Sequence, residues 1–526
     1  MPANFPWYYR FLPRNWNSPQ MRGRTHRWFF YSTLFVLIAL FAFFASQPRS
    51  SAETAQTQPA PVTTPAAATS PNFTHTVKRG ETLPMVARQY LSHTPYMTVA
   101  EFETALTESN KLTPNPRLQA GQQLIVPEYQ AEPVVEHSVA VPRDYQVRAI
   151  YLTGLMAGSA HGINIIRRWH ELGGNSVVFD IKDSDGLLSI SFNHPLAPPT
   201  HHPYISNLPK FIHFLHSMDM HAIARIALFR DEHIATVHPE LAVQSRRALK
   251  AAGKGPQPWK ENGKQVWTDS SNPTVQDYDL ALAKYVAVSG ADEIQFDYVR
   301  FPAEGDQADA QFAFMDAKCD PASSVPCSHS RADVIANFLA RAYKEIHPSG
   351  ALLSLDVFGV MAWQRPADLN HTGQDIVRMA KSCDVLSPMI YPSHFFGMDG
   401  IARPGDAPEH FISESMQRFV KITQGSGVVI RPWLQAFAWR TKTYSPEYIE
   451  TQVKTSRLNG GDGFLFWNAR NDYSKPYAAM PVMTADAADY FQPLPTTTTT
   501  TKIAAAPPAP PAPAAQPEPV INPTLR

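Results

Sequence analysis

The chain has 526 residues, with 46 Lys and Arg against 46 Asp and Glu, 48 Pro and 3 Cys. The balanced charge gives no field to draw it to nucleic acid, and three Cys exclude a disulfide scaffold or a four-thiolate zinc site. Hydrophobic residues make up 44%, enough for a large core, so wholesale disorder is excluded too.

Residues 1–27 carry five arginines and no Asp or Glu. The apolar run 28–45 follows, and as a helix it would rise about 27 Å against a hydrocarbon core of about 30 Å. A single transmembrane helix is expected there, with the basic leader in the cytoplasm and the rest of the chain outside it. The alternative is a cleaved signal peptide, since Ser50-Ser51-Ala52 resembles a small-residue cleavage site. Residues 46–72 are poor in large apolar side chains and read as a disordered linker. The Thr/Ala/Pro-rich tail 494–526 reads the same way.

Residues 73–128 predict a small β-α-α-β unit. His75 opens a strand, Gly80 turns the chain, and Thr82 caps a helix that reaches Tyr90. A second helix covers Val99–Ser109, and a turn at Gly121 leads into a strand ending at Pro127. Thr76-Val-Lys-Arg-Gly-Glu-Thr-Leu83, Asn110-Lys-Leu112 and Gly121-Gln-Gln-Leu-Ile-Val-Pro127 give this unit the pattern of a LysM module, which it resembles. Pro84 and the enlarged segment Leu91–Met97 depart from that pattern. The resemblance implies a grip on glycan containing N-acetylglucosamine, hence peptidoglycan in a bacterium. Localisation would then be the bacterial inner membrane, with the bulk of the chain periplasmic or extracellular.

After a linker at 129–145, β-rich runs alternate with helical patterns across 146–493, the signature of βα units around a parallel sheet. The runs are 147–154, 176–183, 222–229, 293–301, 352–360, 385–391, 429–437 and 463–468. Helices are expected at 163–172, 208–218, 275–289, 332–347, 374–381 and 446–458. Eight units fit a closed (β/α)8 TIM-like barrel, with an open doubly wound sheet as the competitor. Gly154-Leu-Met-Ala-Gly158 lacks the third glycine of a dinucleotide loop, so neither nucleotide nor other cofactor is expected.

Such a barrel places its active site at the carboxyl ends of the strands. Asp180, Lys182 and Asp183 stand there on the second strand, Arg225 on the third, and Asp297, Tyr298 and Arg300 on the fourth. Asp356 ends the fifth, Tyr391 the sixth, Trp433 and Gln435 the seventh, and Trp467 and Asn468 the eighth. A carboxylate inside a parallel sheet costs several kcal/mol unless paired. Three on separate strands therefore point either to ion pairs or to chemistry. Period-two alternation puts Asp180 and Lys182 on one face, and Gln295 and Asp297 on one face. Paired carboxylates beside aromatic platforms suit glycosidic hydrolysis, in which one acid protonates the leaving oxygen and another stabilises or attacks the oxocarbenium-like centre. Asp180, Lys182, Arg225, Tyr298, Arg300, Tyr391, Trp433, Gln435, Trp467 and Asn468 are the expected substrate contacts.

Phe296-Asp-Tyr-Val-Arg-Phe-Pro302 is the most specific of several motifs by which residues 147–473 resemble a bacterial family of glycoside hydrolase-like (β/α)8 domains, distantly related to the α-amylase type. Val178-Phe-Asp-Ile-Lys-Asp183, Ser354-Leu-Asp-Val-Phe-Gly359, Ser387-Pro-Met-Ile-Tyr-Pro392 and Gly463-Phe-Leu-Phe-Trp-Asn468 accompany it. The resemblance implies that Asp297 is nucleophile or electrostatic stabiliser. No Glu ends the fifth strand, where the amylase type keeps its acid, so Asp356 is the candidate acid, with Asp183 behind it.

Cys319 and Cys327 lie in an insertion after the fourth strand and are expected to form a disulfide, while Cys383 is expected to be a buried thiol. His194, His201 and His202 share a Pro-rich loop. Lacking a fixed carboxylate, they make a poor metal site, so no metal is expected. They nevertheless keep open a metal-dependent polysaccharide deacetylase. A non-catalytic glycan-binding or envelope-assembly scaffold is the other alternative.

Overall fold

The computed structural model describes residues 73–132, 134–199, 202–252, 255–316 and 327–492. The expected basic leader, transmembrane helix, first linker, C-terminal tail, His201 and Cys319 all lie outside these residues. Among the described residues no helix is long and apolar enough to cross a membrane.

The barrel strands are β1 (Arg148–Leu152), β2 (Ser176–Lys182), β3 (His221–Ala227), β4 (Glu293–Asp297), β5 (Leu352–Phe358), β6 (Val385–Met389), β7 (Trp433–Gln435) and β8 (Phe464–Trp467). Each pairs in parallel with the next, and β8 returns to β1. Val429–Ile430 extends the contact of β7 with β6. The sheet is therefore closed, as expected, and the open doubly wound alternative is set aside. Burial on both faces explains the strands' composition: every residue of β2 and of β3 is buried.

The surrounding helices turn one apolar stripe inward. Ala160–Glu171 buries Ile163, Ile165, Ile166 and Trp169, and Ser159 caps it by accepting from the Gly162 amide. Pro446–Leu458 matches its expected limits, whereas the expected helix 374–381 shrinks to Ile376–Met379. Several helices stand where none is expected, the longest being Pro408–Ile422 and Ser474–Ala485. Pro408 sits in the first turn, where a missing N–H costs nothing, and Pro481 lies inside the second helix.

The small unit is built as the LysM pattern predicts. Phe73–Thr76 and Gln123–Val126 pair antiparallel, enclosing Val77, Leu83, Val86, Phe102, Leu106 and Leu124 with the two helices. Asn110 shows why its position favours Asn: Oδ1 accepts from the Ile125 amide at 2.7 Å while Nδ2 donates to Leu106 O and Ile125 O. Thr82 occupies the N-cap without a side-chain hydrogen bond. Pro84 has no N–H to offer, and the Met85 amide is taken by the Thr82 carbonyl. The enlarged segment faces the barrel: Lys210 Nζ donates to Leu91 O and Tyr96 O, both at 2.5 Å. Arg167 pairs with Glu101 beside it. Replacing Lys210 with Met is expected to loosen this clasp without unfolding either part, read as faster amide exchange over Leu91–Met97.

Candidate active site

Arg225, from the middle of β3, is the hub of the carboxyl-terminal mouth. Its Nη1 lies 2.5 Å from Asp180 Oδ1 and its Nη2 2.6 Å from Asp297 Oδ2. Asp183 and Asp356 stand 3.9 Å from the same guanidinium. Strand register produces this convergence: Asp180 is paired with Arg225, Arg225 with Gln295, and Ala227 with Asp297. Four carboxylates from β2, β4 and β5 and the turn after β2 thus share one buried cation. Asp297 is paired with Arg225 rather than with Arg300.

The four are not equivalent. The Asp183 side chain is 44% exposed, Asp297 11% and Asp356 1%. Burial, reinforced by the nearby charge of Asp297, holds the Asp356 carboxyl well above its ordinary value despite Arg225 and a 2.7 Å hydrogen bond from Trp433 Nε1. Burial also pushes Asp180 up, to about 7, against the pull of Arg225. The Tyr151 hydroxyl donates to its other oxygen.

Asp297 is fixed by the residue after it. Tyr298 has φ +53°, a left-handed conformation that costs a bulky residue about 1–3 kcal/mol. It turns the Tyr298 amide back to donate to Asp297 Oδ1 at 2.6 Å.

Aromatic residues line the same end. The half-buried Trp467 stacks on Tyr151 at 4.1 Å and meets Trp433 edge-on at 5.7 Å. Trp433 itself is buried, so it braces Asp356 and supports Trp467 rather than offering a face of its own. Tyr391 is buried too, and burial with the charges of Asp356 and Asp297 raises its hydroxyl.

Three expected substrate contacts are occupied elsewhere. A bulge interrupts β2 between Asp180 and Lys182, so the expected alternation fails and Lys182 faces the outer helices. There its Nζ bonds Asp279 at 2.7 Å and Asp231 at 3.0 Å. Gln435 is committed to Phe437 O, the Thr441 hydroxyl and the Ser393 amide. Asn468 braces its own loop through Ala436 O, Asp472 O and the Arg470 amide. Lys182→Met is expected to destabilise the fold by about 3–5 kcal/mol, because two buried carboxylates lose their cation. Denaturant unfolding measures this.

Sequence reasoning missed Tyr151 and an aromatic cluster after β6 and β7. His394 lies 5.0 Å from Trp439, 5.2 Å from Tyr391 and 5.9 Å from Phe437. Burial pushes His394 down to about 4, so its ring is neutral. The available signal was proximity: His394 follows Tyr391 by three residues, and Trp439 follows Phe437 by two.

His194 and His202 do not join this site. His194 lies against Phe192 and Tyr278, and His202 is exposed. Among the described residues no group of three His, Cys, Asp or Glu side chains is placed to hold a metal ion. Cys327 is disulfide-bonded. Cys383 is a free buried thiol, its ionisation suppressed by burial.

Residues 149–473 match a family model described as "Putative glycosyl hydrolase domain". The chain belongs to this glycosyl hydrolase family. Residues 75–127 match the LysM domain, so a LysM domain precedes the glycosyl hydrolase domain. Comparison with curated proteins gives no match.

Among solved structures, a hypothetical protein from Ruminiclostridium thermocellum is 28% identical, covering 40% of this chain and 97% of its own at a TM-score of 0.32. The PgaB glycoside hydrolase domain from Bordetella bronchiseptica is 14% identical, covering 65% and 97% at 0.45. The spore cortex-lytic enzyme SleL from Bacillus megaterium is 11% identical, covering 80% and 87% at 0.37.

Proposed function

We propose that this glycosyl hydrolase-family protein is anchored to the bacterial inner membrane and hydrolyses a cell-envelope glycan outside the cytoplasm. Its LysM domain holds the same polymer, raising the local concentration of substrate. The observation that carries the reading is the convergence of Asp180, Asp183, Asp297 and Asp356 on Arg225 at the mouth of the barrel.

Environment divides their roles. Asp297, held in place by Arg225 and the Tyr298 amide, attacks or stabilises the anomeric centre. Asp356, whose proton is retained above the ordinary carboxyl range, supplies the proton to the leaving oxygen, with Asp183 at the exposed rim as the alternative donor. Trp467 and the His394–Trp439 cluster offer faces for sugar rings. Arg225 is a positioning residue.

Because the acid must be protonated, turnover is expected to hold below the raised pKa of Asp356 and to fall as pH rises through it. The pH profile of kcat in the intact chain checks this. A descending limb unchanged in Asp356→Asn would transfer the role to Asp183.

The direct test is incubation of the intact chain with peptidoglycan and with poly-N-acetylglucosamine, followed by measurement of new reducing ends. Binding to both without cleavage would support a scaffold. Acetate release abolished by a chelator would support a deacetylase.

A further inference from the structure

We propose that the rim of the mouth between β3 and β5 holds a subsite for a carboxylate-bearing sugar, with Arg230 as its principal ligand and Arg300 beside it. The inference rests on the glycan-hydrolase reading and narrows its substrate class to acidic glycans.

Arg230 stands just beyond the end of β3, its backbone bridged to Trp267. The side chain is half-buried, and among the described residues its guanidinium makes no ion pair or side-chain hydrogen bond. That is unusual at this end of the barrel, where Arg225 is saturated with carboxylates. Arg300 is buried between the Phe358 and Trp267 rings, at 4.3 and 4.8 Å, and donates to Phe301 O at 3.0 Å. Both cations flank one ring: Arg230 lies 5.6 Å and Arg300 5.3 Å from the centroid of Tyr298. Tyr298 is the residue that follows Asp297, so the pair borders the group assigned to the anomeric centre.

The chemistry follows from charge and shape. A half-buried guanidinium presents a planar fork of donors that matches a carboxylate. Glu304 acts on both arginines through space while bonded to Asn262 at 2.9 Å, but it forms no ion pair with Arg230. On the β2 side the exposed Asp183 repels an anion. A substrate carboxylate is therefore directed to the β4 side, which orients the polymer across the mouth. Two sources supply such a group on an envelope glycan: a uronate, or the lactyl ether of a muramic acid that carries no peptide.

Titration calorimetry of the intact chain with three tetrasaccharides tests the subsite. The probes are peptide-free N-acetylglucosamine–N-acetylmuramic acid, hyaluronan, and neutral chitotetraose. Arg230→Gln is expected to weaken at least one acidic probe about 10-fold, the scale of one charge-assisted hydrogen bond, and to leave chitotetraose within about 2-fold. Which acidic probe responds identifies the source. Arg230→Lys, keeping charge but not the fork, should fall between, and it replaces Arg230→Gln if that variant does not fold.

Equal affinity of wild type and variant for both acidic probes overturns the subsite, as does an equal loss for chitotetraose. Arg230-dependent binding without new reducing ends would reject hydrolysis and leave the subsite standing. Cleavage with binding indifferent to Arg230 would do the reverse.

Discussion

Asp297→Asn is expected to lower turnover at least ~10²-fold while leaving the fold intact. The substitution is nearly isosteric, and the Asn amide oxygen can still accept from one of the two donors, Arg225 or the Tyr298 amide, which hold opposite oxygens of the carboxylate at 2.6 Å each. What disappears is the negative charge at the position where positive charge develops in the transition state. Removing one preorganised electrostatic group of this kind costs about 10²–10³ in kcat. Initial rates of reducing-end release measure the loss, and a thermal melt confirms the fold. An unchanged rate on a substrate the wild type cleaves would remove Asp297 from the mechanism.

Arg225→Met is expected to cost about 3–5 kcal/mol of stability, because it leaves Asp180 and Asp297 beside Asp356 without their shared cation. The sign of the pH dependence separates this from a packing defect. Asp180, already pushed up by burial, loses the cation that pulls it down, so its folded-state pKa is raised further and the folded variant favours its protonated form. Its deficit against wild type should be largest at neutral pH and shrink as pH falls toward the ordinary carboxyl range. Urea unfolding of both proteins at several pH values measures it. A deficit constant with pH would assign the loss to the missing side-chain volume. Turnover should be lost as well, since the same guanidinium orients Asp297.

Much of this architecture was legible from residues 146 to 493. Runs such as Ser176–Lys182 and His221–Ala227 are rich in Val, Ile and Ala because both faces of a parallel barrel strand are buried, and that composition marks them out. Asp180, Asp297 and Asp356 stood out for the same reason, as acids where apolar residues are the rule. The helix at Pro408–Ile422 was hidden by its proline, which reads as a breaker until its place in the first turn is known.

Side-chain direction was less legible. Nothing in Phe179-Asp-Ile-Lys182 announces the bulge that sends Lys182 outward to Asp279 and Asp231. The hydrogen bonds of Gln435 and Asn468 go to loops that only the folded chain brings near. Tyr298 adopts a left-handed conformation with none of the Gly, Asn or Asp residues that usually mark one. Arg225 was visible as a cation on a strand, but its place among four carboxylates depends on closure of β2 through β5 around it.

In the proposed mechanism a sugar polymer lies across the barrel mouth with a glycosidic bond at Asp297. A crystal structure of the Asp297→Asn variant soaked with an N-acetylglucosamine-containing oligosaccharide tests it most directly. The expected result is an anomeric carbon within about 3–3.5 Å of the side chain at position 297, the reach of a near-attack geometry, with a ring against Trp467. Oligosaccharide bound on the LysM domain and absent from the mouth would contradict it.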